Sequence, residues 1–170
     1  MKVYILVIIL VIILVIILVI IFSFRFTNVI IDAPMDLESD GVQIIKRALN
    51  DDELKHLRIK CGMNRYKDVK HFLMTHPTLR AIANSISPDH QIQDIIIKKQ
   101  ADWQDPSFTL IIYVEDGGIG VVPKSHLDDR VSNMVELRCD KGDIVIFNSK
   151  LIKSQINQNL QIQLKIARNT

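Results

Sequence analysis

The sequence predicts an α+β domain held behind an N-terminal transmembrane helix, and three observations predict it. Residues 3–22 carry no charge, Pro or Gly; residues 39–86 place apolar side chains at helical spacing between capping signals; from Gln91 onward the period shortens to Ile- and Val-rich runs broken by turn residues. Helices first and strands after imply sheets that fold over one another as a sandwich or jelly roll. The boundaries are an anchor over 1–24, a linker with a first strand over 25–38, and an α+β domain over 39–170. A chain of 170 residues has room for one such unit.

The anchor repeats Ile-Leu-Val-Ile from Ile5 to Ile20. At a rise of about 1.5 Å per residue it gives about 30 Å of helix, the hydrocarbon thickness of a bilayer. β-Branched residues lower helicity in water, but in lipid every backbone polar group must be satisfied within the segment, so helix wins over strand. The run exceeds the roughly 7–15 residues of a cleaved signal core, and Ser23-Phe24-Arg25-Phe26 offers no small-residue cleavage pattern. Lys2 on one side and Arg25 on the other leave the orientation undecided by charge, and no small-xxx-small motif offers a close-packed helix dimer.

Beyond the linker, "NVIIDAPMD" reads as an extended strand stopped before Pro34. Ser39 to Lys60 reads as helical, with Val42, Ile45, Ala48 and Leu49 on one face, then Asn50 as the N-cap of a second run that ends at Gly62. Asp51, Asp52 and Glu53 at its start and His56, Arg58 and Lys60 towards its end suit the helix dipole. "YKDVKHFLMT" and "PTLRAIANSI" are two further helices, the latter entered through Pro77. The strands are then "QIQDIIIKKQ", "FTLIIYVED", "IGVVPKS", "VELRC", "DIVIFNS" and "IQLKIAR".

Twenty-one basic and 19 acidic residues give a net charge of +2 with no block of either sign, which excludes a nucleic-acid stripe. Cys61 and Cys139 show no metal-ligand spacing and read as two buried thiols, or as one bridge in an oxidising compartment. His56, His71, His76 and His90 read as surface or helix-end residues, and Glu115-Asp116 before Gly117-Gly118 as a polar turn. Nucleophile-elbow, phosphate-loop and dinucleotide fingerprints are all missing from the chain.

The order "HPTLRAIANSISPDH", "KKQADWQDPSFTLIIYVED", "GGIGVVPKSH", "KGDIVIFNSKLIKSQINQN" and a final strand resembles the phytanoyl-CoA dioxygenase branch of the iron- and 2-oxoglutarate-dependent oxygenases, from about Tyr66 to the C-terminus. The resemblance implies a double-stranded β-helix framed by Pro123, Ser125, His126, Gly142, Asp143 and Phe147. It also implies a facial triad of two histidines and a carboxylate on iron. Here the triad is broken. Its His-x-Asp step reads Trp103-Gln104-Asp105, and the distal histidine position holds Lys153. Indole and ammonium groups donate and do not coordinate a cation. The co-substrate arginine position falls near Lys165 or Arg168. The expectation is a pseudoenzyme with no catalytic residue, no metal, no cofactor and no small-molecule substrate. Two alternatives remain: an oxygenase with unorthodox ligands, such as Asp105 with His126, or an anion binder using Lys153 and Lys165 with Trp103 as a wall.

Taken whole, the anchor with "VIIDAPMDL", "DWQDPSF" and "VEDGGIGVVPKSH" resembles the 19 kDa occlusion-derived envelope proteins of baculovirus-type insect viruses, the per os infectivity factor 4 family. That resemblance implies a single-pass membrane protein of the virion envelope, routed through the host inner nuclear membrane. Its partners would be lipid, through residues 3–22, and other envelope proteins in the complex by which virions enter midgut cells.

Overall fold

The computed structural model describes residues 13, 29–30, 35–86, 88–97, 108–155 and 160–168. Apart from Ile13 the apolar anchor lies outside the described residues, and among those described no helix is long and apolar enough to cross a membrane.

Two sheets face one another, and three helices cover the outer side of the larger one. The larger sheet has the order β2 (Val42–Ile45), β7 (Ile144–Asn148), β4 (Phe108–Tyr113), β9 (Gln161–Arg168), β3 (His90–Ile97). Its partner has the order β1 (Val29–Ile30), β6 (Val135–Cys139), β5 (Gly117–Val121), β8 (Lys153–Gln155). Every pairing is antiparallel except β1 with β6. Because β4, β7 and β9 lie in one sheet and β5, β6 and β8 in the other, the chain alternates between sheets, which makes the domain jelly-roll-like.

Strand alternation creates two cores. Leu110, Ile112, Ile144, Ile146, Ile162 and Leu164 face the helices, while Ile111, Tyr113, Val145 and Phe147 face Ile119, Val121, Leu137 and Cys139 across the sandwich. The helices meet the first core through Leu54, Leu57 and Cys61 of α1 (Asp51–Gly62), Val69 and Leu73 of α2 (Tyr66–Thr75), and Leu79, Ile82 and Ala83 of α3 (Pro77–Ile86). Asn50 caps α1 as the sequence implies, in a reciprocal box with Glu53: each side chain accepts the other's backbone N–H, at 3.0 and 2.8 Å.

The helical reading of Ser39 to Leu49 is corrected. Residues 42–45 form strand β2, paired with β7 from Val42↔Phe147 to Ile45↔Ile144. Gly41 (φ 78°) and Arg47 (φ 50°) take left-handed conformations on either side, so no helix can run through. Val42, Ile44 and Ile45 are β-branched, and the spacing that suggested one helical face instead divides between the two sides of a strand. The short strand β8 is likewise unheralded by any Ile or Val run.

Candidate functional site

The interior face of the larger sheet carries an unusual polar row. Register aligns Tyr113 with Gln161, Ile111 with Gln163, and Thr109 with both Lys165 and Phe147, so these side chains share the sandwich side of β4, β9 and β7. Gln161 and Gln163 are buried, as is Tyr113. No apolar core requires two glutamines, and polar side chains turned into a sandwich at this place are what a binding cavity would line.

Lys153 opens β8 opposite Val121 and reaches over this row, with Nζ 4.7 Å from the centroid of the Phe147 ring. Such a cation–π contact contributes about 0.5–2 kcal/mol, more as water is excluded. Lys153, Phe147, Tyr113, Gln161, Gln163 and Ile111 line a cavity of about 10 Å³ together with Gly118 and Ile119. Small-molecule sites need roughly 300–1,000 Å³, so the aromatic rings leave room for about one water. Tyr113 Oη and Gln161 Nε2 are buried, and among the described residues neither has a hydrogen-bond partner of good geometry. Burial, with the neighbouring Cys139 adding to it, pushes the Tyr113 phenol far above its ordinary value. Burial likewise raises the Cys139 thiol to about 12, helped by the charge of Asp143.

The framework residues have structural work of their own. Asp143 is fully buried; Oδ1 accepts from Arg47 N at 2.9 Å, and Oδ2 from Lys46 Nζ at 2.8 Å and Asp140 N at 2.9 Å. It thereby ties the end of β2 to the β6–β7 turn. Gly142 sits at φ 89°, and a Cβ there would stand 2.7 Å from Leu49 O. After β5, Pro123 leads into a turn in which Lys124 takes φ 66°. Ser125 Oγ accepts from Ile152 N at 2.8 Å, fixing the approach to Lys153. His126 Nε2 donates to Glu38 O at 3.2 Å, and its ring occupies the space where a Cβ of Gly41 would fall.

Of the positions singled out in the sequence, the structure brings Lys153, Phe147 and the Lys165 face of β9 to the sandwich interior. Trp103 and Asp105 lie outside the described residues. Arg168 alternates with Lys165 by an odd number of residues, so it shares the helix-side face with Ile166 and not the interior. His126 lines a separate surface groove with Leu37, Ile86, Phe108 and Leu127. His76, expected at a helix end, does follow α2, but it is buried, and its Nε2 lies 2.8 Å from Glu53 Oε1. His56 tilts against Phe72, and His90 meets the Phe108 ring edge-on. Asp116 belongs to a turn contact, accepting from Lys141 N at 2.8 Å. Cys61 and Cys139 are buried in different cores and form no disulfide, so the bridged alternative is set aside. Sequence reasoning missed Tyr113, Gln161 and Gln163. The signal for the glutamines was present: in "QIQLKI" the polar residues hold one parity and the apolar residues the other.

An iron centre of the facial-triad kind does not fit these residues. The described lining offers phenol, amides and an ammonium but no imidazole or carboxylate. Among the described residues no three His, Cys, Asp or Glu side chains come together.

The fold is that of the non-heme, 2-oxoglutarate-dependent oxygenase-like proteins. Solved structures share it over about four-fifths of the chain. They include the epimerase SnoN of nogalamycin biosynthesis, an alpha-ketoglutarate-dependent enzyme (TM-score 0.62, 14% identity, 79% of this chain and 80% of that one). HygX from Streptomyces hygroscopicus aligns with TM-score 0.61 and 11% identity over 78% of this chain and 84% of its own. AviO1 from Streptomyces viridochromogenes Tue57 aligns with TM-score 0.60 and 15% identity over 78% and 91%. No protein-family model and no curated sequence matches the chain.

Proposed function

We propose that this chain is a membrane-anchored interaction protein built on an oxygenase-like fold that has lost its chemistry. In finer terms, it serves as an envelope subunit of the complex by which an insect virus infects by the oral route. One observation carries the non-catalytic part: at the distal ligand position Lys153 rests its ammonium on the Phe147 ring above a cavity of about 10 Å³. A cation repels a metal ion, and that volume admits neither 2-oxoglutarate nor a substrate. The alternative oxygenase with His126 as a ligand finds no support in the geometry, because His126 faces a different groove from Lys153. The anchor rests on the uninterrupted apolar run over residues 3–22, and the envelope assignment on the quoted sequence segments.

Two measurements test the proposal. Full-length protein purified in detergent is expected to hold no stoichiometric iron after anaerobic loading and to show no 2-oxoglutarate turnover. Stoichiometric iron with turnover would overturn the non-catalytic reading. For the complex, affinity capture from detergent-solubilised virion envelopes is expected to recover other envelope proteins; recovery of the intact chain alone would overturn the subunit role.

A further inference from the structure

A surface groove of about 480 Å³ lies at the end of the larger sheet where Phe108 pairs with Asn148. That volume falls in the range of roughly 300–1,000 Å³ typical of binding clefts. Two of its walls are fixed before anything binds. Asp36 Oδ2 accepts from Glu38 N at 3.0 Å and Ser39 N at 2.8 Å, closing the turn over residues 36–40. His126 Nε2 donates to Glu38 O at 3.2 Å, which ties that turn to the one after β5. A surface already shaped in this way loses little conformational freedom on binding. Much of the lining is apolar: Leu37, Ile86 and Phe108 are half-buried, and Leu127 at the lip is 70% exposed. A single exposed leucine is ordinary, but one that continues an apolar groove belongs to the kind of patch that marks a contact site.

Charge sets the class of partner. Asp36 and Glu38 line the groove and, among the described residues, no Lys or Arg does. Glu38 gives only its backbone to the contacts above, which leaves its carboxylate for a ligand. The flanking turns add Asp40, Asp128 and Asp129 against Lys124, Lys150 and Arg130, and Arg130 is itself held by Asp128 at 3.0 Å. The whole chain carries +2, so this negative patch is local.

We propose that the groove binds an exposed segment of a partner protein that carries a Lys or Arg beside an apolar side chain. The cation meets Glu38, and the apolar side chain packs against Phe108 and Leu127. The inference rests on the interaction role proposed above and names the surface and the chemistry which that role uses. An acidic or phosphorylated segment would set like charge against Asp36 and Glu38, and a neutral one would cover the Glu38 carboxylate without pairing it.

The test pans a phage-displayed library of random dodecapeptides on the full-length chain in non-ionic detergent and measures the selected peptides by fluorescence anisotropy. The consensus is expected to hold a Lys or Arg within a few residues of a large apolar side chain, and binding is expected to weaken severalfold as salt rises from about 50 to about 300 mM. Glu38→Lys reverses the charge and leaves both backbone contacts in place, and Leu127→Asp removes the apolar lip. Each is expected to weaken binding about tenfold or more, Glu38→Gln less, all with unchanged far-UV dichroism. Asp52→Lys on α1, which reverses a charge outside the groove lining, is expected to change nothing. An acidic consensus, no reproducible consensus, or peptides indifferent to both groove variants overturns the site. Peptides that reproduce the chain's own residues 22–28 or 98–107, or a dimer in sedimentation that Leu127→Asp dissolves, overturn the partner in favour of an intrachain or self-association contact. The two readings fail separately: affinity capture that recovers no envelope protein, with peptide binding intact, removes the complex, whereas successful capture with peptide binding unchanged in both groove variants removes the groove alone.

Discussion

If the Gly-Asp pair of "KGDIVIF" persists for folding and not for chemistry, Asp143→Ala must cost stability in proportion to the contacts of that carboxylate. It accepts three hydrogen bonds of 2.8–2.9 Å, two from backbone N–H groups and one from Lys46. The Lys46 side chain is 53% exposed and stays within 3.9 Å of Asp140, so it returns to water at little cost. The loss therefore resides mainly in the donors of Arg47 and Asp140. Charge-assisted bonds contribute about 1.5–3 kcal/mol each, and partial rehydration of the vacated space brings the expected total to about 3–4 kcal/mol. For a chain of this size that lowers Tm by about 6–16 °C. Lys46→Met should cost only about 1 kcal/mol, since it removes the exposed partner and leaves both backbone bonds. Urea unfolding of the detergent-solubilised chain, followed by tryptophan fluorescence and far-UV dichroism, measures both. An Asp143→Ala protein within about 1 kcal/mol of the parent would refute the latch and reopen a chemical role for the carboxylate.

Acid titration should expose the Glu53–His76 contact. Burial pushes the Glu53 carboxyl up, but the Asn50 N–H and His76 outweigh it and hold the group below its usual 4.5. Its contribution is therefore complete above about pH 4.5 and is lost as pH falls through the lowered value; Glu53→Gln should flatten the melting profile in that window, and an unchanged slope would count against the contact. Both cysteines are buried, and the Cys139 thiol is held up to about 12, so iodoacetamide at pH 8 should label neither in folded protein and both in urea, read by intact mass. Labelling of Cys139 in the native state would show that the sandwich opens. Trp103→His with Lys153→His, which would supply two imidazoles, should give no 2-oxoglutarate turnover, because Tyr113 and Phe147 still fill the cavity; turnover in that variant would show that ligand identity and not cavity volume is limiting.

Legibility in the sequence followed the strength of local signals. Helices α1 and α3 and strand β6 lie where the Asn50 cap, Pro77 and the Val-Glu-Leu-Arg-Cys alternation put them. The segment before Leu49 was misread because Val42, Ile45, Ala48 and Leu49 recur at helical intervals, while the decisive information, the left-handed backbone at Gly41 and Arg47, is set by tertiary contact. At the site, motif order located Lys153 and Phe147, since a strand and its flanking turns carry fixed offsets. It could not locate Tyr113, whose place in the cavity depends on the pairing Tyr113↔Gln161 between strands far apart in the chain. Of the two positions, Lys165 and Arg168, between which motif spacing leaves the choice, strand parity puts only Lys165 on the sandwich face.

The separation between framework and interior explains how such a domain can keep its shape while the residues lining its cavity vary. Asp143, Gly142 and Ser125 spend their bonding capacity on backbone groups, so any substitution there is felt by folding itself. The interior positions face a cavity and not the latch contacts, and there substitution is constrained only by volume and by the need to satisfy polar atoms. Phe147 belongs to both sets: its backbone pairs with Val42 and Thr109 while its ring carries Lys153. A lysine at position 153 is tolerated because that ring offers its ammonium a face, and a leucine at 147 would remove the support. The aromatic framework residue thus decides which residues position 153 can accept.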